Sequence, residues 1–548
     1  MKKGFTLIEL LIVIVIISVL AVVVFVALNP AKRISDARNA RRVQDVQHIL
    51  DAVGLYAVDT LGTLPSGIDA NLRMIGSDSS GCDISCGQSG GGSSAFTDTS
   101  NATFSLGTFT DTQWNSVNSW LDLTTTGLVN KTGSFTSRIF DMSSVTSPST
   151  ISWIPQQPYG KELPDTAQTE TAYPSGNVSM NGNVLLLHMN ETTGTSIFDS
   201  SGQGNHGVLY DPTKYIIGQN GKINKSVHFI NSFQSANGQI RIPHSSSLNL
   251  GNAGSVCVWV NLDDYTQNNA GFVHKGDTSG FTNSEYSLQV FLTGRTPTFN
   301  VVDTTGSDRY IQSNIDLTSG TWNHVCGTYN TSDAINIYVN GQKTGSLLWN
   351  PTWIPRHGTG SLQVGAQLTV SNEYPMKGYL DEVAIFNREL SVSEIVTLYQ
   401  RAALNLKFQI RSCNDSLCSS SSFIGPDGTN GTYYDESINT TTTLPTFPIT
   451  NLSSNQYVQY QANLTTDTSS YSPALRNISI QYLTIGEMTA PTCVDLSVPL
   501  SKYLKTIPMD PSIGTNGKTY YAIRNIATGG VQIVSCSPEN NESITVSR

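Results

Sequence analysis

Residues 334–345 read AINIYVNGQKTG. Ile335, Ile337 and Val339 alternate with Asn336 and Tyr338, the period of two that sends every second side chain to the same face of a strand. Asn340-Gly341 then supplies the residue pair that tolerates the positive φ angles of a two-residue hairpin. The same alternation recurs outward from this stretch. In LKFQIRSC (406–413), Leu406, Phe408 and Ile410 face one way and Lys407, Gln409 and Arg411 the other. In YVQYQANL (457–464), Val458, Tyr460, Ala462 and Leu464 do the same. Almost nothing between 103 and 390 carries a helical period, so the bulk of the chain is expected to be β-sandwich.

Composition agrees. The chain has 548 residues, of which 13% are charged, and its formal net charge is −10. At about 150 residues per domain that length suggests three or four domains. Long Ser/Thr/Asn/Gly stretches between apolar runs suit exposed, turn-rich β modules. The acidic balance argues against a nucleic-acid binder, which needs a basic face. Eight cysteines stand at 82, 86, 257, 326, 413, 418, 493 and 536. Their even number, scattered placement and lack of paired CxxC spacing favour disulfides in an oxidising compartment over zinc. The favoured pairs are Cys82–Cys86 and Cys413–Cys418, close in sequence; Cys257–Cys326, which presumes that SVCVWV and HVCGTY are neighbouring strands; and Cys493–Cys536, which bracket the C-terminal segment whose resemblance is given below.

The N-terminus reads MKKGFTLIELLIVIVIISVLAVVVF. From Leu10 to Leu28 no residue is charged, a stretch long enough to cross a bilayer as one helix. Glu9 is costly at bilayer depth unless paired. Lys2-Lys3-Gly4 followed by Phe5-Thr6-Leu7-Ile8-Glu9 resembles the leader and mature start of type IV prepilins. The resemblance implies cleavage by a prepilin peptidase after Gly4, N-methylation of Phe5, and pairing of Glu9 with the Phe5 amine of a neighbouring subunit during filament assembly. Lys32, Arg33, Arg38, Arg41 and Arg42 lie beyond the apolar run; in this family such charges commonly form contacts between subunits. By the positive-inside rule alone they would keep the C-terminal bulk in the cytoplasm. The leader and the cysteines outweigh that, and the bulk is expected outside the inner membrane, at the cell surface or in a pilus.

Val43, Val46, Ile49, Leu50, Val53, Tyr56 and Ala57 recur at helical spacing, so the first helix is expected to run into a globular head, kinked at Pro30, and stop near Gly62. Residues 76–102 are Ser/Gly/Thr-rich and read as linker. LSKYLKTIPMDP, KTYYAIRN and GGVQIVSC resemble the closing β-meander of pilins and major pseudopilins. The pilin is therefore expected to be split between 1–93 (leader 1–4) and 487–548. Within the intervening residues, 183–402 resemble a LamG-like, concanavalin A-like jelly roll, in VLLLHMNETTGTSIFDSSGQGNHG, GKINKSVHF, SVCVWVNL, GTWNHVCGTYN and GYLDEVAIFNRELSVSEIVTLY. Its last stretch reads as a helix with Ser391 as N-cap and Glu394 completing a capping box. Residues 94–182 and 403–486 read as two parts of one accessory β-sandwich, itself interrupted by the jelly roll. The fold class is thus mainly β with one long N-terminal transmembrane helix: an α+β pilin head, and a jelly roll nested in a second sandwich.

Catalytic motifs fail. Gly87-Gln88-Ser89-Gly90-Gly91 fits GxSxG only inside the Ser/Gly linker, and Gly517-Lys518-Thr519 lacks the first glycine of a phosphate loop, Ser512 standing there. Asp381 and Glu382 are adjacent on an expected strand, so they point to opposite faces rather than into one glycosidase cleft. Calcium is the cofactor to consider. By resemblance, Asp199 and Asp381 meet at a jelly-roll calcium site, and Asp510 lies in a loop like that of major pseudopilins; the alternative for Asp199 is an Asx turn before Gly202. Trp349, Trp353 and His357, in a Pro-punctuated loop, are candidate ligand contacts, the alternative being core. The expected function is non-enzymatic: a filament subunit, minor or at the tip, assembling with other pilin subunits through the pilus machinery and displaying its β domains to bind glycan or surface protein. A pseudopilin of a type II secretion or uptake system, and a membrane-anchored surface lectin that never polymerises, are the alternatives.

Overall fold

The computed structural model describes residues 30–548 except 71, 79–93, 143–147, 166–167, 232–237, 265–269, 277–283, 292–294, 369–372, 420, 439–441, 453–454, 483–492, 527–529 and 537–543. Gly4, Phe5, Glu9, the expected spanning helix, the Cys82–Cys86 pair and the GxSxG look-alike lie outside the described residues. Among the described residues no helix is long and apolar enough to cross a membrane.

The helix Pro30–Asp59 buries Val46, Ile49, Leu50 and Val53, the three-and-four spacing of one face. Val43, on the apolar list, is exposed instead. Gly62, at φ 92°, donates its N–H to the Ala57 carbonyl and closes the helix, a conformation that favours glycine. The buried face packs on Val494, Leu496, Tyr521, Ile523 and Ile533, so residues on either side of a gap of more than four hundred share one core. Beside it runs an antiparallel sheet in the order Arg73–Met74, Tyr521–Ile526, Gly530–Ser535, Thr545–Ser547. Ile75 makes a parallel bridge to Val494.

Residues on both sides of 156–403 also interleave. Thr132–Thr136 and Leu404–Cys413 both pair with Tyr457–Thr466, and Pro148–Pro155 pairs with Leu475–Tyr482. Their common core packs Trp153 against Phe408, ring centroids 4.5 Å apart, together with Phe104, Phe135, Tyr460 and Ile478. The linker expected over 76–102 is corrected in part: Ser94–Asp98 is a strand paired with Leu475–Tyr482. Phe96 stacks on Phe140 there, and a reading by composition passes over one aromatic among serines and threonines.

Two eight-stranded sheets form the sandwich between these parts. Sheet one runs Tyr215–Asn220, Lys225–Ile230, Lys377–Phe386, Ala253–Leu262, Asn323–Asn330, Ala334–Val339, Gln342–Leu348, with Asn183–Leu187 also on Lys377–Phe386. Sheet two runs Ser196–Ile197, Gly207–Leu209, Ile240–Ile242, Leu362–Val364, Ala270–Gly276, Ser284–Phe291, Thr296–Val302, Asp308–Gln312. Their facing sides close a core of Val, Ile, Leu and Phe residues. The hairpin at Asn340-Gly341 takes φ 51° and 78°, as its sequence demands. The helix Val392–Ala403 lies on the outer face of sheet one, capped by Ser391 and Glu394 in a reciprocal capping box.

Candidate functional site

Because side chains alternate along a strand, the partners of the core residues of sheet two point away from the core. They line up across it. Arg241 is opposite Gln363, Gln363 opposite His274, His274 opposite Ser287, Ser287 opposite Asn300, and Asn300 opposite Tyr310. His274 Nδ1 lies 2.8 Å from Gln363 Oε1 and its Nε2 2.8 Å from Ser284 Oγ. The Arg241 guanidinium covers the Tyr210 ring at 4.3 Å. Asn300 Oδ1 and the neighbouring Gln289 Oε1 are buried acceptors without a hydrogen-bond partner among the described residues. Tyr310 ends the row half exposed, at 51%. Between the Arg241 guanidinium at one end and Tyr310 at the other the row is uncharged, and His274, Gln363, Ser287 and Asn300 are themselves buried; uncharged donors and acceptors of this kind are the chemistry that recognises hydroxyl-rich ligands. None of these residues was nominated from the sequence: alternation assigns each side chain to a face, but their alignment needs the register.

A second cluster gathers at the edge of sheet one. His188 Nδ1 lies 2.6 Å from Glu382 Oε1 and its Nε2 3.2 Å from Asp165 Oδ1. Asn190 donates to Glu162 Oε1. Burial alone would lower the His188 pKa, but the surrounding Glu382, Asp165 and Glu162 carboxylates raise it well above the ordinary value. Burial, reinforced by Glu382, raises the Glu162 carboxyl. His188, Asp165 and Glu162 border a cleft of about 130 Å³ that also touches Lys161, Ser200 and Ser437. Next to it Arg401 makes a two-pronged pair with Glu170, Lys161 reaches Glu170 at 3.2 Å, and Tyr173 donates to Glu436, whose carboxyl burial pushes up to about 7. The sequence singled out none of these except Glu382, since they are scattered over 161–436.

The residues nominated from sequence separate. Trp349 is buried against Tyr329, and its Nε1 donates to the Trp353 carbonyl; Trp353 packs against the same core beneath the Arg309 guanidinium at 4.5 Å. The two rings therefore fill structure, and His357 alone of the three is exposed. Asp199 accepts from the Leu186, Ser201 and Asn205 amides and the Ser201 hydroxyl, an Asx turn. Asp381 is buried and accepts from the Ile223 amide, with no contact to Asp199 among the described residues. Asp510 is taken by Arg42, 2.7 Å away and equally buried. Arg42 thus serves an intramolecular pair rather than the subunit contact expected of it.

Cys257 and Cys326 stand directly opposite one another in sheet one and form a disulfide, as do Cys413 and Cys418. Cys493 and Cys536, each disulfide-bonded, lie in one apolar cluster of the head. His324 sits against the first bond, its Nε2 3.6 Å from Cys326 Sγ.

Comparison with known families falls on the two segments expected from sequence. Residues 1–25 match the prokaryotic N-terminal methylation motif, and residues 234–396 match the concanavalin A-like lectin/glucanases superfamily. The chain carries a prepilin-type methylation motif and a LamG-like domain. No curated protein matches it. Solved structures that resemble it include the binding domain of Paraclostridial Mosquitocidal Protein 1, at 16% identity and a TM-score of 0.32 over 44% of this chain and 63% of that one. Another is the Botulinum neurotoxin serotype G binding domain, at 18% identity and a TM-score of 0.32 over 42% and 56%. The chain spans less than two thirds of the length of these structures, and a likeness this loose says nothing of ligand or activity.

Proposed function

We propose that the protein is a non-enzymatic type IV pilin-like subunit, minor or at the filament tip, whose LamG-like domain binds glycan or surface protein. The observation that carries the reading is the presence of both segments in one chain: a methylation motif at 1–25 and a concanavalin A-like domain at 234–396. A prepilin-type start implies processing, a membrane-anchored helix and assembly with other subunits, with the bulk outside the membrane. The interleaved strand pairing supports a head split around a sandwich that is itself split around the jelly roll. The polar row of sheet two supports a neutral, hydroxyl-rich ligand. Glu9→Val removes a charge from an apolar helix; membrane insertion is expected to stay normal while the subunit disappears from sheared filaments. Filaments carrying Asn300→Ala are expected to lose polysaccharide retention that the wild type shows. Normal recovery of Glu9→Val in filaments would overturn the assembly role, and unchanged retention by Asn300→Ala the binding face.

A further inference from the structure

Three side chains with metal-binding atoms meet on the outer face of sheet one. Cys257 and Cys326 are cross-strand partners with Cα atoms 4.1 Å apart, and His324, two residues before Cys326, shares their face. One ligand atom from each lies within 4.8 Å of the others, and all three residues are buried. The His324 ring is the unusual member. Its two nitrogens lie 3.6 and 4.0 Å from Cys326 Sγ, and no oxygen or nitrogen accompanies them among the described residues. A buried imidazole ordinarily has a hydrogen-bond partner on at least one nitrogen; here the sulfur takes that place.

The His324-to-Cys326 distance is that of one edge of a coordination polyhedron, and the two sulfurs, bonded to one another here, part on reduction. With bonds of about 2.3 Å to sulfur and about 2.0–2.1 Å to nitrogen, a tetrahedral zinc ion sets a sulfur-to-nitrogen edge of about 3.6 Å. A cavity of about 20 Å³ adjoins the group, lined by Cys257, His324 and Glu382. That is room for one water.

We propose that, once the Cys257–Cys326 disulfide is reduced, Cys257, Cys326 and His324 form a site for a soft divalent cation such as zinc, with water as fourth ligand. A dithiol reductant delivers two electrons and two protons to the disulfide and leaves as its own disulfide. The cation then displaces the two thiol protons and takes a lone pair from the neutral imidazole. Two thiolates and one dication sum to zero, so the buried site gains no net charge. The two central strands are then tied in either redox state, covalently when oxidised and through the metal when reduced.

The test uses the full chain in detergent, reduced and freed of metal, titrated with cobalt(II) as a spectroscopic stand-in for zinc. The reduced wild type is expected to take up one more cobalt per chain than the Cys257→Ser/Cys326→Ser variant, with the intense visible bands of tetrahedral thiolate coordination. His324→Gln is expected to weaken that uptake by roughly 10–100-fold or more. The comparison with the double serine variant removes any contribution of the other cysteine pairs. If that variant fails to fold, alkylation of the reduced wild type, mapped by mass spectrometry, decides: zinc should shield Cys257 and Cys326 together. Equal cobalt uptake by the two proteins, or identical alkylation of these two cysteines with and without zinc, overturns the proposal.

Discussion

Arg42 and Asp510 are both fully buried, 468 positions apart, with Asn39 Oδ1 accepting a further bond from the same guanidinium. Burial works against the Asp510 carboxylate, yet the Arg42 hydrogen bonds hold its pKa below the ordinary value. Removing one partner strands the other charge, so Arg42→Met is expected to cost about 3–5 kcal/mol in urea unfolding. Arg42→Met/Asp510→Leu should recover most of it. In the sequence Arg42 is one cation in a run along a helix, and nothing there marks it as the one that turns inward. In the polar cluster around His188 and Glu436, two groups give stability a direction with pH. His188 has a raised folded pKa, so its contribution is complete below about 6.5 and is lost as pH climbs through the raised value. Glu436, raised from 4.5 to about 7, prefers its protonated form in the folded chain, so its contribution too falls as pH rises through that interval. Thermal midpoints are therefore expected to decline from pH 5 towards alkaline pH. His188→Gln should flatten the upper part of the decline and Glu436→Gln the lower. A wild-type profile that rises over this range contradicts both assignments.

Among the elements, those whose signal is local were legible. The hairpin turn at Asn340-Gly341, the strands of period two, the end of the first helix at Gly62 and the capping box at Ser391 each follow from neighbouring residues. Ser391 Oγ accepts from the Glu394 amide, and the Glu394 carboxylate accepts in turn from the Ser391 amide. Ser391→Ala is expected to cost about 1 kcal/mol, read as a lowered unfolding midpoint with an unchanged fold. Signals carried by distant partners were illegible. Ser94–Asp98 becomes a strand only because Leu475–Tyr482 offers its edge, and the guanidinium over the Trp353 ring comes from Arg309 on the strand Asp308–Gln312. The polar row of sheet two falls between these cases: each member follows from alternation, while their alignment across the strands depends on a register that no single strand encodes.

At the scale of the whole chain, the resemblance at each end and in the middle set out the order of the parts, and the pairing shows how they can be separable. Ile75 bridges Val494 directly, and Gly76 donates its N–H to the Val494 carbonyl at 3.0 Å. The chain therefore leaves the head and returns to it at adjacent points of one short ladder. Among the described residues the head's core draws on 46–75 and 494–544 with no member from between. Closing a short loop there costs little entropy, because the native ends already touch. Replacing residues 79–492 by a short Gly/Ser linker, with Cys493 and Cys536 retained, is expected to leave a head that folds around the first helix. Its circular dichroism should show the helix, and its thermal unfolding should remain cooperative and still respond to Arg42→Met. If the shortened chain loses helix or melts without a transition, the head depends on the β domains it carries, and the large insertion is part of its core rather than cargo. If it folds, the same shortened subunit separates assembly from binding: it should enter filaments while the retention attributed to sheet two is lost.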